Sequence, residues 1–273
     1  MSGERSETGA HYGPFYRDFS DEVYAEIRRT EFGEDLGQNN WQTRAELAGF
    51  AAQLRLGPGV RLLDVACGAG GPGLQLARES GCELTGVDRE SAGLANARRI
   101  ARQAGLEAPV RFVQADASEP LPFADGGFDA ILCLDALNHL PGRPGVFADW
   151  ARLLTPGGRV LVTDPVTITG LVAGDELAIR SSIGYFDFAP PGEDERLLEA
   201  AGLTVISVAD LTEAMAAVAR GRCRMRAERA QALRRIEGAE AFERRQRFLD
   251  MVATLAGERR VSRFAYLAAS GSR

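Results

Sequence analysis

The chain contains no lysine: all 32 of its basic residues are arginine. A Schiff-base lysine, a lysine general base and a P-loop lysine are thereby excluded. Histidine is almost as scarce, since only His11 and His139 occur. The four cysteines, Cys67, Cys82, Cys133 and Cys223, form no C-x-x-C pair and no close Cys/His cluster, which argues against a zinc site or a disulfide framework. They read as small buried thiols. No apolar run approaches the roughly 20 residues needed to cross a bilayer, and the start MSGERSETGAHYG lacks the apolar segment of an export signal. The expectation is a cytoplasmic protein with no membrane partner. A generally basic surface is also missing, because the net charge is −6, and broad nucleic-acid binding is not expected. The charge is uneven, however. Residues 220 to 260 carry twelve arginines against six acidic residues, which leaves −12 on the rest of the chain. That stretch is either a solvated helical face or part of a site that attracts an anionic substrate.

What is present is concentrated in LLDVACGAGGPG, residues 62 to 73, followed by ELTGVD ending at Asp88. An apolar run enters a glycine-rich turn, a helix follows, and a second strand delivers a carboxylate where a ribose diol would lie. Gly68, Gly70 and Gly73 literally satisfy G-x-G-x-x-G, which by itself suits the pyrophosphate of a dinucleotide. Asp64 argues otherwise, because a carboxylate four residues before Gly68 repels a pyrophosphate and attracts an ammonium or sulfonium group. Gly68 and Gly70 let the backbone approach a ligand closely, and Pro72 presets the first helical turn.

Strands and helices alternate from Val60 onward. Strands are expected near 60–66, 83–88, 110–115, 128–134, 159–163, 203–209 and 263–270, with helices at 72–80, 91–104, about 143–153 and 193–201. Thr43 and Glu46 form a capping box for a helix ahead of the first strand. Tyr16, Phe19, Val23 and Ile27 follow at helical steps and predict one helix, serving as a core cap or an active-site lid. The expected organisation is a tail and helical cap at 1–40, a cofactor-binding core at 41–164, a substrate lid at 165–192, and the rest of the sheet at 193–273. Within that last part, 212–258 reads as a helical insertion, a cap or the surface of a homodimer.

The ordered set DVACGAGG, VD at 87–88, QAD at 114–116 and TPGGRVLV at 155–162 resembles the motifs of class I S-adenosylmethionine-dependent methyltransferases, over roughly residues 41 to 210. The chain looks most like the bacterial enzymes that methylate sugars, quinones and natural products. The resemblance implies an α/β fold, a doubly wound and mostly parallel seven-stranded sheet with its last strand antiparallel, and S-adenosylmethionine as cofactor, leaving as S-adenosylhomocysteine. It implies Asp64, Ala66, Gly68, Gly70, Asp88, Arg89, Asp116, Ala117 and Leu134 as cofactor contacts. Asp116 would take the adenine amine beside the small Ala117, and the Gln38–Trp41 segment would close over the methionine part.

His139, just after the fourth strand, is the candidate general base, or else a residue that packs beneath the substrate or hydrogen-bonds the loop. Asp164 could orient it, act as an alternative base, or only end a strand before Pro165; some sugar-methylating relatives use a histidine and an aspartate from these two loops. Tyr12, Tyr16 and Tyr185 are lesser candidates. No metal is expected, although a cation at Asp135, Asp164 and Asp187 stays open. The partner is a small molecule, most readily a hydroxyl of a secondary metabolite or sugar. N- or C-methylation, a nicotinamide-dependent oxidoreductase and a non-methylating cofactor-binding protein are the competing readings.

Overall fold

The computed structural model describes residues 16–33, 35, 37–106 and 110–271. The expected tail, with His11, Tyr12 and Phe15, lies outside the described residues. Seven strands form one sheet: β1 (Arg61–Val65), β2 (Glu83–Asp88), β3 (Val110–Gln114), β4 (Phe128–Leu134), β5 (Leu154–Ile168), β6 (Leu203–Asp210) and β7 (Val261–Ser270). Their order is 3-2-1-4-5-7-6, parallel from β3 to β5, with β7 antiparallel to both β5 and β6. The helices are α1 (Glu22–Phe32), α2 (Arg44–Gln53), α3 (Gly71–Ser80), α4 (Ser91–Gln103), α5 (Arg143–Leu153), α6 (Gly174–Arg180), α7 (Glu193–Ala200), α8 (Thr212–Glu228), α9 (Ala230–Glu237) and α10 (Ala239–Gly257).

Side chains alternate across a strand, and the two faces of this sheet divide accordingly. Leu63, Val65, Ile131, Cys133, Val160 and Val162 pack with Phe147 and Trp150 of α5 and Leu198 of α7. Leu62, Leu132 and Leu161 pack on the other face with Leu47 and Phe50 of α2 and Leu74 of α3. Asp64 shares the parity of Leu62, so its carboxylate is directed under α3 rather than into solvent.

Two expectations change. The helix anticipated from Tyr16 to Ile27 breaks after a short helical segment at 16–18, because Asp21 caps a new helix with its Oδ1 accepting from Val23 N at 3.0 Å. The break turns Phe19 fully inward, where the Arg28 guanidinium lies 3.9 Å from its ring centre. β5 also runs far beyond 159–163, from Leu154 to Ile168, with an irregularity between Asp164 and Thr167 where it leaves register with β7.

A buried ion cluster ties α2, β4 and β7 together. Arg263, with no exposed surface, donates from Nε to Asp135 Oδ1 at 2.7 Å and from Nη1 to Glu46 Oε2 at 3.1 Å. Glu46 is the capping-box residue of α2, so one carboxylate serves both the helix start and the sheet. Burial works against the Arg263 charge, but Asp135 and Glu46 raise its pKa overall. Arg263→Met leaves both carboxylates without their cation and should cost about 3–5 kcal/mol. Chemical denaturation measures this, and a loss below about 1 kcal/mol would show that the cluster does not hold the sheet.

Candidate active site

The strand order reverses between β1 and β4, and a cavity opens at the carboxyl ends of these strands, as open α/β sheets dictate. Both strands finish in a non-glycine residue with positive φ, Ala66 and Asp135, each at 55°, which turns the chain sharply around the cavity floor. The far wall comes from α1, the 37–41 segment, the 180–186 segment, α8 and α10.

The end beneath α3 is acidic. Asp64 is buried and accepts a hydrogen bond from Gly73 N–H in the first turn of α3. A Cβ on Gly73 would collide with Asp64 Oδ2. Burial, then the neighbouring Asp88, pushes the Asp64 carboxyl up to about 8. Asp88 accepts from Gly68 N at 2.7 Å and from Glu90 N at 2.8 Å, which fixes its carboxylate at the end of β2; burial raises its pKa too. Gly68 (φ 56°) lies under the Tyr16 hydroxyl, which a Cβ would strike. Cys67 also lines the cavity, but burial, then Asp64 and Asp88, push its thiol well up, so it is no nucleophile.

The opposite end is aromatic. His139 Nδ1 lies 2.7 Å from the Tyr185 carbonyl, so that nitrogen carries the proton, and Asn138 Nδ2 donates to Nε2 at 3.1 Å. Asp187 N donates to Asn138 O at 2.8 Å, a second tie between the two loops. Burial is the main reason that the imidazole is depressed to about 4 and is neutral near pH 7. Its ring packs edge-on to Phe186 at 4.7 Å, and Phe186 and Trp41 each pack near Phe248 of α10.

Of the expected residues, Asp64, Ala66, Gly68, Asp88, Arg89, Asp116, Ala117, Leu134, Trp41 and His139 all line this one cavity. Asp116 Oδ1 accepts from Ser118 N at 2.9 Å, which holds its loop. Gly70 does not line it: in a left-handed conformation (φ 79°) it precedes α3 and packs against Ala97, Phe112 and Leu74. Asp164 is the larger correction. It has no exposed surface, does not line the cavity, and accepts from Arg143 Nη1 at 2.8 Å, where Asp194 also meets that nitrogen at 2.6 Å. Burial and Asp194 push Asp164 up to about 8. The Tyr185 carbonyl, not Asp164, orients His139. The cation considered at Asp135, Asp164 and Asp187 has no support, since Arg263 engages the first and Arg143 the other two, and no metal-binding group of three or more carboxylates, histidines or cysteines occurs among the described residues.

Sequence reasoning missed the arginine that joins the two sides. Arg222 of α8 donates to both Glu31 oxygens of α1, at 3.1 and 2.9 Å, and to the carbonyls of Asn39 and Asn40, at 3.1 and 3.0 Å. Its guanidinium lies 5.2 Å from the Trp41 ring centre, and Trp41 N donates to Asp135 at 2.7 Å. Helices α8 and α10 of the 212–258 stretch thus supply part of the cavity wall. The excess of arginine there was the only available signal.

The acidic end fits a cationic amino acid head: Asp64 is held in its uncharged form by burial, and Asn40 Oδ1 is a buried acceptor on the cavity without a hydrogen-bond partner among the described residues. Comparison with known proteins agrees. A family model described as "Methyltransferase domain" matches residues 56–183. Methyltransferase GfsG of Streptomyces halstedii is 30% identical over 77% of this chain and 81% of that protein. The 27-O-demethylrifamycin SV methyltransferase of Amycolatopsis mediterranei (strain S699) is 30% identical over 86% and 88%. Among solved structures, the cyclopropane synthase MmaA2 from Mycobacterium tuberculosis superposes with a TM-score of 0.81, covering 94% of this chain and 96% of that one. The [4+2]-cyclase SpnF gives 0.75, with 96% of both chains covered; at 17% and 23% identity these two likenesses show the fold alone. The chain belongs to the class I S-adenosylmethionine-dependent methyltransferases, and the oxidoreductase reading finds no support among these relatives. No helix among the described residues is long and apolar enough to cross a membrane.

Two measurements follow. Gly73→Ala should destabilise the fold by about 1–3 kcal/mol, read by thermal denaturation, because the methyl group has no space beside Asp64. Titration calorimetry with S-adenosylhomocysteine should show affinity rising with pH toward about 8 as Asp64 loses its proton, then falling as the ligand's own ammonium deprotonates. Asp64→Asn should weaken binding and remove the rising limb; an unchanged pH profile would show that Asp64 does not face the amino group.

Proposed function

We infer that the enzyme methylates a hydroxyl of a small molecule, with His139 as the general base. The observation that carries this reading is the His139 geometry: Nδ1 is committed to the Tyr185 carbonyl, so the lone pair that can take a proton is on Nε2, which accepts from the Asn138 amide in the wall of the cavity. Bound S-adenosylmethionine supplies an electrophilic methyl carbon on a cationic sulfur. Asp64 and Asn40 would hold its amino acid head, Asp88 its ribose hydroxyls, and Asp116, with Ala117 leaving room, its adenine. Ala66, Gly68 and Leu134 line the floor, Arg89 would lie along the adenine edge, and Trp41 would close the methionine side.

Catalysis by these residues is chiefly alignment and exclusion of water. The Phe186 and Phe248 wall gives the acceptor an apolar bed, and the Arg222 latch keeps the 39–41 segment over the cofactor end. The acceptor hydroxyl would donate to His139 Nε2 in place of the Asn138 amide, and the proton would pass to that nitrogen as the oxygen is methylated. A relative whose name specifies an O-methyl acceptor, the rifamycin enzyme, supports oxygen over nitrogen or carbon.

Transfer of labelled methyl to a panel of phenols, enols, sugars and amines tests the reaction. Silence across that panel, with S-adenosylmethionine bound, would sink it. Once an acceptor is found, His139→Ala should lower kcat by about 10²–10⁴-fold with little change in cofactor affinity. Because His139 is depressed to about 4, its basic form is present throughout the neutral range and is lost only as pH falls through about 4. An acid limb near 6.5 that vanishes in His139→Ala would contradict the environment described for this imidazole.

A further inference from the structure

Arg180 closes α6 with 1% of its surface exposed, and its Nη2 donates to the Pro165 carbonyl at 3.2 Å. Its guanidinium carbon lies 4.7 Å from the Phe186 ring centre and 5.2 Å from that of Phe248. Phe186 meets His139 on its other side, and all four side chains line the aromatic end of the cavity. The guanidinium charge reaches the imidazole: after burial itself, Arg180 is a cause of the low His139 pKa. The buried carboxylates at the end of β4 and within β5, Asp135 and Asp164, bond to Arg263 and Arg143. Asp64 and Asp88 thus line the end under α3, and the Arg180 guanidinium lines the aromatic end with His139.

We propose that Arg180 selects the acceptor, its guanidinium stabilising the negative charge that develops on the acceptor oxygen, so that the enzyme methylates an acidic hydroxyl, a phenol or enol on a flat ring lying against Phe186 and Phe248. The proposal rests on the oxygen-methylation reading above. A fixed cation in an apolar wall acts on a nearby oxyanion far more strongly than it would in water. The same cation that weakens His139 as a base acidifies the hydroxyl that His139 faces, so the pair is matched to an acidic acceptor and poorly matched to an aliphatic alcohol. In the transfer the acceptor O–H bond breaks with its proton going to His139 Nε2, an O–CH3 bond forms, and the electrons of the broken carbon–sulfur bond stay on sulfur as a neutral thioether.

The test uses para-nitrophenol, whose ionised form is distinguished by its absorbance, titrated into the protein saturated with S-adenosylhomocysteine. The bound probe should ionise at least about one pH unit below its value in buffer, a tenfold preference for the phenolate. Arg180→Met should abolish the shift, and Arg180→Lys, which keeps the charge, should retain part of it, with S-adenosylhomocysteine affinity unchanged in both. Ionisation at or above the free value, a shift that survives Arg180→Met, or failure of the probe to bind saturably overturns the proposal. If S-adenosylhomocysteine itself does not bind, the underlying cofactor reading has failed instead, and the two failures are told apart in the same titration.

Discussion

The carboxylate of Asp64, buried beneath the first turn of α3, is the constraint on which the site depends. Its place follows from strand parity: β1 must bury Leu62 against α2 and α3, and a residue two positions later points the same way. An acid forced under a helix start requires a residue without Cβ opposite it, and Gly73 supplies that space. The resulting pocket favours a neutral carboxyl until a cation arrives. That is why a glycine spacing that satisfies a dinucleotide fingerprint serves a different ligand here. The third glycine accommodates an anion belonging to the protein, where a pyrophosphate-binding turn would accommodate the anion of its ligand.

The cavity built on this floor has two ends with opposite electrostatic character, and the fold keeps them apart by local pairing. Asp135, at the end of β4, could have made the aromatic end acidic as well. Its Oδ1 instead accepts from Arg263 and Thr163, and its Oδ2 from Trp41 N. Asp164, within β5, does not line the cavity and bonds to Arg143. That end of the cavity is lined by a neutral imidazole, aromatic rings and a guanidinium, with Asp135 held on the floor by its own donors.

The alternation of strands and helices was legible because each element carries its own periodicity, and β2, β4 and α5 begin and end where the pattern places them. The acidic end of the cavity was legible for a related reason: Asp64 and Gly68 flank the end of β1 and Asp88 ends β2, a spacing set by one βαβ unit. The N-terminal helix misled because apolar steps continue across Asp18 and Asp21, while an aspartate's ability to cap a helix overrides the hydrophobic stripe. Asp164 misled because the residues that withdraw it, Arg143 and Asp194, lie 21 and 30 positions away and have no local signature. Arg222 and Glu31 meet across 191 positions, and only the folded cap brings them together.

The exclusive use of arginine gains its meaning from these long-range contacts. Arg222 holds four acceptors in one planar group, two carboxylate oxygens from α1 and two carbonyls from the segment over the cofactor end. An ammonium has three donors on a flexible stem and lacks the fork that engages a carboxylate side-on. The consequence is mechanical as well as electrostatic. The α8 cap cannot lift from α1 without also releasing the carbonyls of Asn39 and Asn40, and these are followed directly by Trp41, whose amide is bonded to Asp135 on the cavity floor. Helices α8 and α1 and the segment over the acidic end therefore share a single set of hydrogen bonds.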